Sequence, residues 1–208
     1  ITYMSGSDVQ LVQSLSRGLA VIRAFDGERP RQSLAQVAEA TGLPRATVRR
    51  FLHTLVAEGY AASNGSVFWL TPKTLELGYS YLSGLGLPAI AQPHLDALSR
   101  TLNESCSLTV LDTSDVVYVA RAAANRIMSV NITIGTRFPA YVTSMGRVLL
   151  AGLPPAALDA YLADTALRPF TPKTVTNPDE LKQLLIDVRR QGHCIVDQEL
   201  ELGLRSVA

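Results

Sequence analysis

Along the first third of the chain, apolar positions recur with the period of helices that bury one face. Leu15, Leu19, Ile22 and Phe25 form such a stripe through SLSRGLAVIRAF. Leu34, Val37 and Ala38 share a second face, and Val48, Phe51, Leu52 and Leu55 a third. The punctuation between them is consistent with three helices. Ser33 is a good N-cap for the second, because its hydroxyl can accept from an unpaired amide of the first turn. Gly42 supplies a left-handed turn, and Pro44 suits the first position of the third helix, where an N–H would go unpaired. Gly59 closes that helix. Tyr60-Ala61-Ala62 and Val67-Phe68-Trp69-Leu70 then read as two strands around Ser63-Asn64-Gly65-Ser66, with Asn-Gly as the hairpin signal.

Further on the pattern changes twice. Thr71-Pro72 marks the end of the first domain, and a helix over Lys73 to Leu85 aligns Leu75, Tyr79 and Leu82. Gly84-Leu85-Gly86-Leu87-Pro88 interrupts it. No strand precedes these glycines, so they read as a helix break and not as a phosphate loop. A second helix runs to Asn103 with Leu95, Leu98 and Leu102 aligned. Alternation takes over from Ser105: Cys106 to Leu111 and Val116 to Ala120 flank a turn at Asp112 to Asp115. Met128, Val130, Ile132 and Ile134 alternate with polar residues as one half-buried strand. Helices follow at Thr143 to Ala151, from Pro155, and after Asn177-Pro178, the last burying Leu181, Leu184, Leu185 and Val188 and stopping at Gly192. His193 to Val196 reads as a strand, and the chain stops at Leu204 to Ala208 in what reads as the middle of another. The expected organisation is a disordered leader over 1–10, a winged helix-turn-helix over 11–72, a linker helix over 73–87, and a mixed α/β domain over 88–208 whose C-terminal end is missing.

Charge gives the first domain a function. No acidic residue lies between Glu39 and Glu58, and Arg45, Thr47, Arg49, Arg50 and His53 face outward from the third helix. Together with Ser33, they are the candidate contacts to double-stranded DNA. The wing has no Lys or Arg at its tip, so its expected contribution is packing and hydrogen bonds to phosphate. Net charge over the 208 residues is only +1, which excludes an architectural protein that coats DNA through overall basicity. An enzyme with an appended DNA-binding domain is the other alternative. The second domain offers no nucleophile–base pair, no paired acids at motif spacing and no phosphate loop, and Thr143-Ser144-Met145-Gly146 lacks the flanks of a nucleophile elbow. Cys106 and Cys194 make neither a metal spacing nor a disulfide framework, which fits core residues in a reducing cytoplasm. No metal or cofactor is expected, and no apolar run is long enough to span a membrane.

In order, the chain carries SLSRGLAVIRAF, GLPRATVRRFLHTLVAEGY, LTPKTLELGYSYL, VVYVAR, GTRFPAYVTSMGRVLLAGL and QGHCIVDQELELGLRSVA. By these tracts it resembles the IclR-family transcriptional regulators over nearly its whole length. LELGYSYLSGLGLPAIAQPHL, NESCSLTVLD and VDQELELGLRS are similar to the subgroup that regulates protocatechuate, p-hydroxybenzoate and β-ketoadipate metabolism. The resemblance implies an α+β protein, with a winged helix-turn-helix joined by a linker helix to a GAF-like effector domain built on a curved antiparallel sheet. It also implies a small carboxylate effector, a homodimer, and in many members a dimer of dimers.

Carried over residue by residue, the effector site comprises Ile127, Ser129, Tyr141, Ser144, Met145, Gly146, Val196, Leu204 and Ser206. Ser144 and Met145 would begin a helix whose free amides and dipole favour a carboxylate, and Val196 would face the effector's apolar part. Arg121 and Arg137 are candidate carboxylate partners, with structural pairing to Glu199 or Glu201 as the alternative. Where many members carry consecutive acids after a position like Asp197, this chain has Gln198 and Leu200, which leaves that wall less charged. A regulator of another small-carboxylate pathway is the alternative function.

Overall fold

The computed structural model describes residues 11–124 and 132–208, and the chain divides into two compact units at Gly84/Leu85. Within the first unit, helices α1 (Gln13–Arg23), α2 (Leu34–Thr41) and α3 (Arg45–Ala57) pack around Val21, Val37, Val48, Leu52 and Phe68. Three short strands, β1 (Gln32–Ser33), β2 (Ala61–Ser63) and β3 (Val67–Leu70), form an antiparallel sheet in the order β1-β3-β2. Gln32 is buried, and its amide donates to the Ala24 carbonyl at 2.6 Å, tying the end of α1 to the sheet.

Local chemistry accounts for the turns. Ser33 and Gln36 form a reciprocal capping box at α2, and Gly42 adopts φ +66° between α2 and α3. Pro44 is the cap residue of α3, one position earlier than expected, because its extended ψ of 138° lies outside the helix. In the wing, Asn64 Oδ1 accepts from the Ser66 and Val67 amides, each at 3.1 Å, and Gly65 takes φ +93°. Strand β2 begins at Ala61 and not at Tyr60, whose amide is still bonded to the Leu55 carbonyl at the end of α3.

Thr71 stands at the N-cap of the next turn, but its side chain serves a latch instead of the cap. Thr71 Oγ1 donates to the Gly59 carbonyl at 2.6 Å, Thr74 Oγ1 to Tyr60 at 3.1 Å, and Lys73 Nζ to Glu58 at 2.9 Å. Residues 72–74 wind as a 3-10 turn into α4 (Leu75–Leu85), so the start of that helix is bonded to the end of α3.

The second unit opens with α5 (Leu87–Leu102), which packs on an antiparallel hairpin of β4 (Cys106–Asp112) and β5 (Asp115–Ala122). Of the aligned leucines, Leu98 and Leu102 are half exposed, and Ser99 is the buried position of α5. A short β6 (Arg137–Pro139) joins β5 to complete a three-stranded sheet. The strand expected over Met128 to Ile134 falls mostly outside the described residues. Its described end, Ile132 to Ile134, is not strand: Gly135 at φ +90° turns the chain there, with its amide on the Tyr118 carbonyl. Alternation alone could not distinguish that turn from a longer strand.

After β6 come a 3-10 turn at Ala140–Val142, α6 (Ser144–Ala151), α7 (Pro155–Asp164) and α8 (Pro178–Gln191). The chain closes with an antiparallel pair, β7 (Ile195–Asp197) and β8 (Arg205–Val207), in which Val196 faces Ser206. Strand β7 starts two residues later than the expected His193. The core of this unit gathers Val116, Tyr118, Tyr141, Leu150, Leu181, Leu185 and Val196. Gly146 sits where α6 meets the preceding turn. A Cβ there would lie well inside contact distance of the Ala140 carbonyl, so only glycine permits this approach.

Candidate DNA-binding surface and effector site

Helix α3 buries Val48 and Leu52 and thereby turns Arg45, Arg49, Arg50 and His53 to solvent, with Thr47 half-buried beside them. Between α3 and the wing lies an open groove of about 370 Å³. Apolar Leu34, Val56 and Phe68 line it together with polar Arg49, His53 and Ser66. The His53 ring meets Phe68 edge-on, with centroids 6.4 Å apart. Two other arginines of this unit are already engaged: Arg29 pairs with Asp26 at 2.7 Å, and Arg31 lies over the Trp69 ring at 4.7 Å. On α3, by contrast, Arg45, Arg49 and Arg50 are all exposed and gather on one helix. Ser33 is held in its capping box, so what it presents outward is the N-terminus of α2 rather than a free hydroxyl.

In the second unit, the first turn of α6 organises the predicted effector residues. Thr143 caps it: its hydroxyl accepts from the Gly146 amide at 3.1 Å, and its carbonyl from Arg147 at 3.0 Å. The amides of Ser144 and Met145 fall outside that cap. Ser144 is fully buried, and its hydroxyl has no hydrogen-bond partner among the described residues. Helix α6 also packs on β8, which carries Ser206, with half-buried Leu204 just before it. Tyr141, Met145 and Val196 belong to one apolar cluster.

Some predicted residues have structural tasks. The Tyr141 hydroxyl donates to the Arg168 carbonyl at 2.7 Å and accepts from its amide at 2.8 Å, which pins the segment after α7. Gly146 serves the close approach of α6 to Ala140. Arg137 is not open to a ligand. It is held by Asp112 at 2.7 Å and Asp115 at 3.2 Å, at the end of the β4–β5 hairpin, and not by Glu199 or Glu201. Arg121 on β5 reaches the Ser107 hydroxyl at 3.2 Å. Ile127 and Ser129 lie outside the described residues.

The acid expected to pair with Arg121 or Arg137 instead meets Arg147. The Arg147 guanidinium donates to Glu199 at 2.6 Å and to the Tyr141 carbonyl at 2.8 Å. Sequence reasoning missed this pair. The available signal was the spacing Ser144, Arg147, Leu150, which sets an arginine on the buried face of α6. Cys194 is a core residue, as expected: burial pushes its thiol above the ordinary value, against the smaller opposing effect of Arg147. Among the described residues no cluster could hold a metal ion, and no helix is long and apolar enough to cross a membrane.

A winged helix-turn-helix followed by an α/β unit of this order defines a transcriptional regulator with a separate sensor domain. The profile of the IclR helix-turn-helix domain matches residues 14–65, and that of the bacterial transcriptional regulator IclR C-terminal matches residues 79–208. The chain belongs to the IclR family. It is 46% identical over 202 residues to the Pca regulon regulatory protein of Pseudomonas putida, covering 97% of this chain and 69% of that one. It is 36% identical to the p-hydroxybenzoate hydroxylase transcriptional activator of Acinetobacter baylyi, covering 95% of this chain and 74% of that protein. Among solved structures, an IclR homologue from Microbacterium hydrocarbonoxydans crystallised with 4-hydroxybenzoate superposes with a TM-score of 0.83 at 25% identity, over 94% of this chain and 81% of the other.

The Ser144 hydroxyl carries a desolvation cost that no contact among the described residues offsets. Replacing Ser144 by alanine is expected to stabilise the ligand-free chain by roughly 1–3 kcal/mol, read as a higher urea midpoint at unchanged m-value. A loss of stability would mean that the hydroxyl already has a partner.

Proposed function

We propose that this IclR-family regulator senses a small aromatic carboxylate and converts its binding into a changed affinity for a double-stranded DNA operator. The observation that carries the effector half is Ser144, a buried hydroxyl without a partner among the described residues, at a helix N-terminus whose first two amides lie outside the cap. The carboxylate docks there with Ser144 and Met145, and Val196 faces the apolar ring. Ile127, Ser129, Leu204 and Ser206 complete the walls in this reading. Arg121 is the remaining candidate for a second cation, since Arg137 is already paired. The names of the Pseudomonas and Acinetobacter relatives and the 4-hydroxybenzoate in the Microbacterium homologue favour protocatechuate or p-hydroxybenzoate first, and β-ketoadipate next. The protein acts in the cytoplasm as a regulator and not as an enzyme.

On the DNA side, α3 enters the major groove, with Arg45 nearest the base edges and Arg50 on phosphate. Thr47, Arg49 and His53 share that face, and Ser33 brings the N-terminus of α2 toward the backbone. One such unit covers too little DNA for operator specificity, so the working form is a dimer. Leu11, Leu15 and Leu19 near α1, and Leu75 and Tyr79 on α4, are all exposed and supply an apolar surface for that contact.

Titrating 4-hydroxybenzoate or protocatechuate against operator-bound protein is expected to shift operator affinity roughly 5–150-fold, a coupling of about 1–3 kcal/mol. Ser144→Ala is expected to weaken the acid while leaving ligand-free operator binding intact. If no carboxylate shifts operator affinity, the sensor reading fails. Alanine at Arg45 is expected to cost roughly 1–3 kcal/mol and to relax one operator position. Alanine at Arg50 should weaken all sequences alike and reduce the salt slope by about 1, and unchanged affinity in the Arg45, Arg49 and Arg50 variants refutes the surface. Light scattering at micromolar concentration should read a dimer or larger, and a stable monomer contradicts the assembly.

A further inference from the structure

We infer that Arg147 is a positioning residue of the effector site: its buried ion pair with Glu199 holds the first turn of α6 and the segment after β7 in one register. The inference rests on the effector-site reading above and adds to it the element that keeps the two walls apart at a set distance. Arg147 is 3% exposed and Glu199 8%, so the pair is sealed from water. The Arg147 Nη2 to Glu199 Oε2 distance is 2.6 Å, and Arg147 Nε donates to the Tyr141 carbonyl at 2.8 Å. On the other side, Glu199 Oε2 accepts from the Val175 amide at 3.1 Å, and the Glu199 carbonyl accepts from Thr174 Oγ1 at 2.6 Å. One guanidinium and one carboxylate thus tie together three stretches far apart in sequence.

Their placement relative to the site makes this more than a packing detail. Ser144 stands one helical turn before Arg147 on the same face of α6, and Val196 lies three residues before Glu199. The polar end of the site and its apolar wall are therefore each close to one half of the pair. Gln198, between Val196 and Glu199, is held at φ +62°, a left-handed conformation that a side chain such as glutamine resists. Its carbonyl accepts from Thr171 Oγ1 at 2.7 Å, and its amide is bonded to the Leu204 carbonyl at 2.7 Å. Strain of this kind persists where the surroundings over-determine the backbone, and the Glu199 anchor is one of those determinants. A buried ion pair is also a poor device for stability alone, since well-packed apolar residues of similar volume often serve as well. What the pair adds is a defined register, which an effector of fixed length needs.

The test uses two variants of the chain, Glu199→Gln and the double Arg147→Met with Glu199→Met, with 4-hydroxybenzoate as the calorimetric probe and the unmodified chain as reference. The double variant removes both charges and keeps the volume, so it separates register from the cost of an unpaired buried ion. Both variants are expected to bind 4-hydroxybenzoate about tenfold or more weakly and to lose its effect on operator affinity. Their ligand-free operator affinity should stay within about twofold of the parent, which a general loss of structure would not allow. Parental affinity for the acid in either folded variant overturns the inference, and so does unfolding of both, which assigns the pair to the fold alone. If the unmodified chain binds neither 4-hydroxybenzoate nor protocatechuate, the effector reading itself falls and takes this inference with it.

Discussion

The second unit depends on how closely the first turn of α6 approaches the backbone of the turn before it. Gly146 lets the helix lie against the Ala140 carbonyl, and no residue with a Cβ could do so without displacing main chain. That approach decides where everything else on α6 goes. Thr143 is left at the cap, Ser144 is driven fully under the surface, and Arg147 is swung beneath the turn to reach the Tyr141 carbonyl. Burying an arginine is tolerable only with a partner, and Glu199 provides it from 52 residues further along the chain. The polar features of the unit thus follow from one backbone contact that has no side chain on one of its partners.

What could be read from the residues alone divides along the same line. The helix-turn-helix was legible because its determinants are local: Ser33 caps, Gly42 turns, Gly59 stops, and Asn64-Gly65 bends the wing. Each is a choice imposed by two or three neighbouring dihedrals. The helix start at Asn177-Pro178 was legible for the same reason, whereas Thr143, expected inside its helix, is the cap before it. The Arg147–Glu199 pair was not, because nothing local distinguishes a buried arginine from an exposed one except the face it occupies. Alternation misled at Ile132 to Ile134, where Gly135 makes a turn that periodicity does not register. Leu98 and Leu102 show the converse limit: a leucine stripe identifies a helix and one of its faces, but not which face meets the sheet.

The two units also use charge in different ways. In the first, arginine is kept in water on α3, while Arg29 and Arg31 are occupied by Asp26 and Trp69. A net charge of +1 then suits a protein that must leave wrong sites readily, because non-specific attraction to DNA grows with overall basicity. In the second unit, the Arg147–Glu199 pair is turned inward, and Arg137 is held at the hairpin end between Asp112 and Asp115. The outward pairs, such as Lys182 with Asp159, add little to stability at their exposure.

The latch between α3 and α4 has a mechanical meaning. Thr71, Lys73 and Thr74 bond to the carbonyls of Gly59, Glu58 and Tyr60, the three residues that follow α3. A connector fastened at that point has no slack in which to dissipate a torque. Twisting the first turn of α4 away from α3 would have to break these three bonds, so the connection is seated like a key in its lock.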